Sequence, residues 1–385
     1  MKTIGIITHY HENLNYGGNF QAYALCEFLS QNDFQAEQLS FPIKIKSLIE
    51  HPTLSLWKKM KKKGLKAVFN KIIRRLEAKK KQKIEQEIIK QKRKAFYKFN
   101  QEIIPHSQTV YGNETIQNAA NDYDVFITGS DQVWNLNWYN SAYFLDFASS
   151  NKIKLSYAAS MAMDSLTDSH KKLIAEHLKD FKAVSVREKN AVDLLQGTFS
   201  GEIQQVLDPT LLLSKSEWEA VKEEYPIEGK YIFCYFLGNN AKERKLAEDF
   251  AKKHNLKLIA IANGYDDIKY FKNSPDCQVL FDISPQQFLS LVENAEYVFT
   301  DSFHAVVFSF IYQKQYFVFN RSKNGEMSSR ITSILELFKA ELRFCTGDKE
   351  QLSYLEALPD IDYTQKLEAF EDMKERSKKF LLDNL

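Results

Sequence analysis

Residues 2–29 read KTIGIITHYHENLNYGGNFQAYALCEFL, and this stretch decides the fold class. Ile4–Thr8 has the apolar pattern of a strand. A polar loop with Asn15, Tyr16, Gly17 and Gly18 follows, and Phe20–Leu29 reads as a helix. Strand, glycine loop and helix in that order open a Rossmann-like unit. The two glycines let the backbone approach a ligand closely, and free N–H groups at a helix start favour an anion. The same residues also suit a tight strand-to-helix turn with no ligand.

Outward from this unit the alternation continues. Strand patterns recur at Asp124–Thr128, Lys154–Ala159, Ala183–Arg187 and Gln204–Leu207, with helical segments such as His170–Lys179 and Glu188–Leu195 between them. Such alternation predicts a mainly parallel sheet with helices on both faces. After the break at Pro226 and Gly229 the pattern restarts, with strands at Tyr231–Leu237, Leu256–Ala262, Gln278–Phe281, Tyr297–Thr300 and Tyr316–Phe319. Helices are expected at Ala241–His254, Pro285–Asn294 and Ala305–Tyr312. The expected organisation is a first lobe over 1–226 with a basic helical insertion near 46–100, and a second lobe over 227–360. A terminal helix over 361–385 is expected to pack back on the first lobe.

The 385 residues suit two domains, and 44% hydrophobic with 26% charged residues is an ordinary globular composition. Cys26, Cys234, Cys277 and Cys345 lie far apart, without metal-site spacing, and read as reduced buried thiols; no metal and no cofactor is expected. The short apolar start and the lack of a run near ~18 apolar residues lead to the expectation of a soluble, cytoplasmic chain. The net charge of +2 conceals a split. Lys58–Lys98 holds 18 Lys or Arg against three acids, and the remainder carries −13. Within that segment Trp57, Met60, Leu65, Val68, Phe69, Ile72, Ile73 and Leu76 recur at helical spacing. This is either a basic helix for an anionic membrane surface or a hairpin packed on the first lobe with a solvated face. No recognition motif accompanies the charge, so nucleic acid is not expected.

Four further clusters carry candidate chemistry. Ser130 and Asp131 follow the Asp124–Thr128 strand, where ligands of doubly wound sheets bind; Asp131 suits a base or a helix cap, and Trp134 suits the core. Arg187 ends a strand with Lys189 two residues on, fit for a carboxylate or phosphate or for a salt bridge. Asp301, Ser302 and His304 stand between a strand and an apolar helix, and His304 is the candidate acid/base. Arg321, Lys323 and Arg330 follow the next strand and are placed to reach the same cleft.

Together NYGGNFQAYAL (15–25), DVFITGSDQVWN (124–135), SVREKN (185–190), VLDPTLLL (206–213) and TDSFHAVVFSFIYQKQYFVF (300–319) resemble the polysaccharide pyruvyl transferase family, in that family's order. The resemblance implies two Rossmann-like lobes in a GT-B-like arrangement, with the site in the cleft between them. It implies transfer of a pyruvyl unit from phosphoenolpyruvate to a sugar of a polysaccharide or lipid-linked oligosaccharide, giving a pyruvate ketal. By resemblance His304 is the site histidine and Arg187 the donor-binding arginine. Many members carry Arg where this chain has Ser302, and Arg330, Arg321 or Lys189 is the expected substitute. Asn15, Gly17, Gly18, Ser130 and Asp131 are expected to face the acceptor or close the cleft. A nucleotide-sugar glycosyltransferase and a non-catalytic sugar-binding relative are the alternatives.

Overall fold

The computed structural model describes residues 1–42, 65–271, 274, 276–321, 328–346, 351–364 and 367–385. Two parallel sheets form the centres of two lobes. The first contains β1 (Thr3–Ile7), β2 (Gln35–Ser40), β3 (His106–Val110), β4 (Val125–Thr128) and β5 (Ile153–Ser156), in the order β3-β2-β1-β4-β5. Beside β5 lies a parallel pair, β6 (Val184–Val186) and β7 (Ile203–Gln205), attached through the bridges Leu155↔Ala183 and Ala159↔Val186. The second sheet contains β8 (Tyr231–Tyr235), β9 (Lys257–Ile261), β10 (Cys277–Leu280), β11 (Tyr297–Thr300), β12 (Gln315–Phe319) and β13 (Phe344–Cys345), ordered β10-β9-β8-β11-β12-β13.

Each sheet is centred on its first strand. β1 pairs with β2 through Ile4↔Ala36 and with β4 through Ile4↔Val125; β8 pairs with β11 through Phe233↔Val298 as its neighbours' register carries β9 on the other side. Central strands covered by helices on both faces need apolar residues throughout, and IGII and YIFCY supply them. β2, β3 and β13 escape a periodicity reading. QAEQLS looks polar, yet Gln38 is buried because its amide donates to Ala22 O at 2.9 Å, and the edge strands β3 and β13 are short.

A continuous apolar cluster joins the lobes. Phe20, on the helix Tyr16–Ser30, meets Phe308 at 4.6 Å and Trp218 at 5.6 Å, and Tyr16 stacks on Phe288 at 4.5 Å. Tyr16 also donates its hydroxyl to Ile283 O at 2.9 Å, so the polar end of the ring is satisfied in the second lobe. The 34-residue helix Leu65–Lys98 joins the lobes: Phe96 packs on Tyr16 of the first at 4.8 Å, and in the second Lys81 pairs with Asp266 at 2.8 Å and Lys92 donates to Asn263 Oδ1 at 3.1 Å. Of the apolar stripe in the basic segment, Trp57 and Met60 lie outside the described residues, as do the side chains of Leu65 through Leu76. The terminal helix Leu367–Asn384 lies against the first lobe. Ser377 Oγ accepts from Leu207 N at 2.9 Å, and Lys182 donates to Asn384 O at 2.8 Å.

Phe20→Ala removes a wholly buried ring from this interlobe cluster and is expected to cost about 3–5 kcal/mol. Urea titration of Phe20→Ala beside the exposed-site control Tyr97→Ala measures it, with the control within about 0.5 kcal/mol of the parent.

Candidate active site

The polar side chains converge because parallel strands end at the same edge of their sheet. In the first lobe, His9 follows β1, Ser130 and Asp131 follow β4, Arg187 follows β6, and Asp208 follows β7 by a few residues. In the second, Ser302 and His304 follow β11 and Arg321 follows β12, while Arg330 lies in the first turn of the helix Ser328–Leu337. Asp131 is held at φ 72°, a left-handed conformation that aims its side chain away from the strand direction. Its backbone is fixed there by Ser160 N, which donates to Asp131 O at 2.9 Å.

The centre is Asp208, 1% exposed. Oδ2 accepts from Arg187 Nη1 at 2.8 Å and Ser130 Oγ at 2.8 Å, and lies 3.5 Å from His304 Nε2. Oδ1 accepts from Thr210 Oγ1 at 2.6 Å and Thr210 N at 3.1 Å. A first-lobe guanidinium and a second-lobe imidazole thus share one carboxylate oxygen. Burial opposes ionisation of Asp208, but His304, Arg187 and Thr210 outweigh it and hold the carboxyl far below its ordinary range.

Arg187 is 4% exposed and surrounded by acids. Nε donates to Glu188 Oε1 at 3.3 Å, and Nη2 stands 4.0 Å from Asp131 Oδ1. Phe303, from the second lobe, covers the guanidinium with its ring centroid 4.3 Å from Cζ. Burial opposes the charge, and Glu188, Asp208 and Asp131 more than restore it.

His304 is 7% exposed and backed by Gly17. A Cβ at position 17 would fall 1.9 Å from His304 Nδ1, so only glycine lets the first-lobe helix pass this close to the imidazole. Gly17 therefore serves a close approach between lobes, while Gly18 makes room within the first lobe for Asn13 and the His9 carbonyl. The N–H groups of the pair are not available to an anion: Asn15 Oδ1 caps Gly17 N at 2.9 Å and Gly18 N at 3.4 Å. These glycines lie in the first helical turn, and the helix begins at Tyr16 rather than Phe20.

A cavity of about 250 Å³ opens beside this network between the lobes. Its first-lobe wall includes His9, Asn13, Asn15, Asp131, Gln132 and Trp138; its second-lobe wall is Leu237, Ser302, Phe303, His304, Arg321 and Arg330. Gln132, with its amide oxygen facing the guanidinium, accepts from both Nη atoms of Arg330 at 3.0 and 3.2 Å. Burial and the neighbouring Arg187 and Arg321 push Arg330 down to about 10, against the pull of Asp131 and Glu188. Burial likewise raises the Asp131 carboxyl, but Arg187, His304, His9 and Arg330 bring it below the usual value.

Of the residues expected from sequence, Asn15, Asp131, Ser302, His304 and Arg330 line the cavity. Arg187 and Ser130 lie in the charge network and are not among its lining residues: Ser130 Oγ and Arg187 Nη1 donate to Asp208 and Arg187 Nε to Glu188, while Arg187 Nη2 is buried without a hydrogen bond. Lys189 is exposed on the first turn of the helix Lys189–Leu194, outside the lining. Lys323 lies outside the described residues. Asp301 neither caps the helix nor touches the imidazole; its oxygens accept from Leu237 N and Gly238 N, both at 2.7 Å. Trp134 is core, donating Nε1 to Tyr143 O at 3.0 Å. Periodicity could not find Asp208, Glu188 or His9. The signal for Asp208 was an acid before proline at a strand end, and for His9 its place just beyond β1.

The family profile described as polysaccharide pyruvyl transferase matches residues 15–323, a span that contains Asp131, Arg187, Asp208 and His304. The chain belongs to the polysaccharide pyruvyl transferase family. No curated protein sequence matches the chain. The S. aureus MnaA–UDP co-structure is 11% identical, aligns over 100% of this chain and 98% of its own, and gives a TM-score of 0.56. UDP-GlcNAc 2-epimerase from Methanocaldococcus jannaschii is 11% identical over 99% of both chains, with a TM-score of 0.54. At such identity the likeness establishes the fold: this transferase-family chain has two Rossmann-like lobes in the GT-B arrangement.

The depressed Asp208 carboxyl makes stability depend on pH with a definite sign. Its contribution is complete above the unfolded carboxyl value of about 4 and is lost as pH falls towards the folded value. Asp208→Asn is expected to lose about 3–5 kcal/mol at pH 7, because Arg187 keeps a buried charge with one partner fewer. Denaturant midpoints of parent and variant at pH 7 and pH 3 are the measurement, and the gap narrows at pH 3.

Proposed function

We propose that this chain transfers a pyruvyl group from phosphoenolpyruvate to a sugar diol, forming a cyclic ketal and releasing phosphate. The observation that carries this reading is the interlobe cavity that joins Arg321 and Arg330 to His304, itself set against Asp208. A donor with a carboxylate and a phosphate needs two cationic contacts in a site closed to bulk water. Arg330 and Arg321 supply them from the second lobe, in place of an Arg at position 302. The helix Phe303–Ile311 adds its N-terminus, where Ser302 makes no side-chain cap hydrogen bond.

In this reading His304 is the acid that protonates the donor methylene carbon, and Asp208 holds its ring in position, as carboxylates do for catalytic imidazoles. The sugar hydroxyl adds to the cationic carbon, the C–O bond to phosphate breaks, and the second hydroxyl closes the ketal. Arg187 acts at one remove, helping to keep Asp208 ionised. No step requires a metal, and no group of His, Cys, Asp and Glu fit to hold one is found among the described residues.

Phosphate release from phosphoenolpyruvate, assayed with oligosaccharide acceptors, tests this function. His304→Ala is expected to lower kcat about 10²–10⁴-fold. Arg330→Ala is expected to raise the KM for phosphoenolpyruvate. Thermal stabilisation by UDP-sugars with none by phosphoenolpyruvate would favour the glycosyltransferase reading instead.

The same reading places the acceptor on a lipid carrier at an anionic membrane. No helix among the described residues is long and apolar enough to cross one. Support comes from the outer face of the helix Leu65–Lys98, where Lys79, Lys80, Lys83, Lys90, Arg93, Lys94 and Lys98 are exposed. Ile89 (46% exposed) and Tyr97 (62%) flank Arg93 at four-residue spacing, so two large apolar side chains project amid the charge. Flotation with anionic liposomes is expected, with about a hundredfold weaker partition for the triple variant Lys90→Ala, Arg93→Ala, Lys94→Ala. Equal flotation of parent and variant, or of the parent with zwitterionic liposomes, removes the membrane from the reading.

A further inference from the structure

His9 is the one imidazole lining the described cavity besides His304, and it stands on the opposite lobe. It follows the central strand β1 and is 5% exposed. The loop beneath it is fixed: its carbonyl accepts from Asn13 Nδ2 at 2.6 Å. The ring stands edge-on to Tyr143, centroids 4.7 Å apart at 84°, so its plane is set by packing. Its Nε2 is buried without a hydrogen-bond partner. A buried polar atom left unpaired destabilises the fold, and such atoms persist where an occupant completes them.

Ketal chemistry leaves a role for such a group. Two hydroxyl O–H bonds break; one proton ends on the methylene carbon, which becomes methyl, and the other leaves with phosphate as hydrogenphosphate. A single imidazole set to give a proton to carbon is in the wrong protonation state to take one from oxygen at the same moment. We propose that His9 is a second catalytic residue, the base that accepts the proton of the acceptor hydroxyl as its oxygen bonds to the donor's central carbon, while His304 protonates the methylene carbon. His9 later returns that proton to the departing phosphate oxygen, and the second hydroxyl gives its proton to His304 as the ring closes, so atoms and charges balance and both imidazoles are restored without a further reactant. Burial favours the neutral, proton-accepting ring, and Asp131 on the same first-lobe wall works against this by favouring the imidazolium that forms on proton transfer. The assignment rests on the pyruvyl-transfer reading and deepens it by giving the first lobe the acceptor.

The test is phosphate release from phosphoenolpyruvate with an acceptor that supports the parent, using His9→Ala and His9→Gln. Both variants are expected to lose about 10²–10⁴-fold in kcat. Their KM for phosphoenolpyruvate is expected to stay within about threefold, since the donor's charges are held by Arg321 and Arg330 and His9 only relays a proton after the donor is bound. Added imidazole is expected to restore part of the rate to His9→Ala. His9→Gln keeps a polar side chain against Tyr143, so it remains informative if His9→Ala does not fold. Near-parental kcat in His9→Gln, or a folded His9→Ala that imidazole leaves inactive, overturns the assignment and makes His9 a packing residue. A parent that releases no phosphate with any acceptor overturns the pyruvyl-transfer reading itself, and this assignment with it.

Discussion

One carboxylate oxygen organises the molecule. Asp208 Oδ2 is shared by Arg187 of the first lobe and His304 of the second, and the cavity lies beside that junction. Burying this many charges is costly, and a buried ion pair gains little stability over apolar packing. What it provides is position. Asp208 is held by Thr210, Ser130 and Arg187 at once, so the imidazole that approaches it has one place to go. Phe303 adds a second link, laying a second-lobe ring on a first-lobe guanidinium.

That precision depends on lobes that are packed together. Tyr16 and Phe20 enter the second lobe's aromatic cluster, and the long basic helix meets the first lobe through Phe96 and the second through Lys81 and Lys92. Gly17 is the clearest consequence: helix and imidazole pass so closely that no side chain fits between them. A glycine pair that resembles an anion-binding loop thus serves close packing, Gly17 between the lobes and Gly18 within the first, with its N–H groups capped by Asn15. Asp131 shows the same economy of space, reaching the cavity from a left-handed backbone conformation.

The cations are distributed differently from what the motifs imply. The arginine at the strand end, Arg187, is enclosed by three acids, while the arginines that line the cavity come from beyond β12. Ser302 is small, and its backbone opens a helix without a side-chain cap. Arg321 and Arg330 converge on the same wall. The positive charge at the proposed donor site is therefore carried by a later segment than the His304 motif, a change of address that a linear motif does not record.

The sequence by itself determined the two repeated strand–helix patterns, the helices before and after the Pro226 break, and His304, Asp131 and Arg330 as cavity residues. Those features are local: periodicity follows from which face of an element is covered, and loops after parallel strands collect at one edge of a sheet. Tertiary structure alone decided that Arg187 and Ser130 sit in the charge network, that Lys189 turns to solvent, and that Asp208 and His9 join the site. A polar internal strand such as QAEQLS also stayed hidden, because its burial is compensated by hydrogen bonds to other elements. The reason is the same in each case. Whether a charged side chain faces a ligand or another side chain depends on which opposite charges lie within a few ångströms, and those neighbours come from separate segments, as Asp131 and Asp208 do around Arg187.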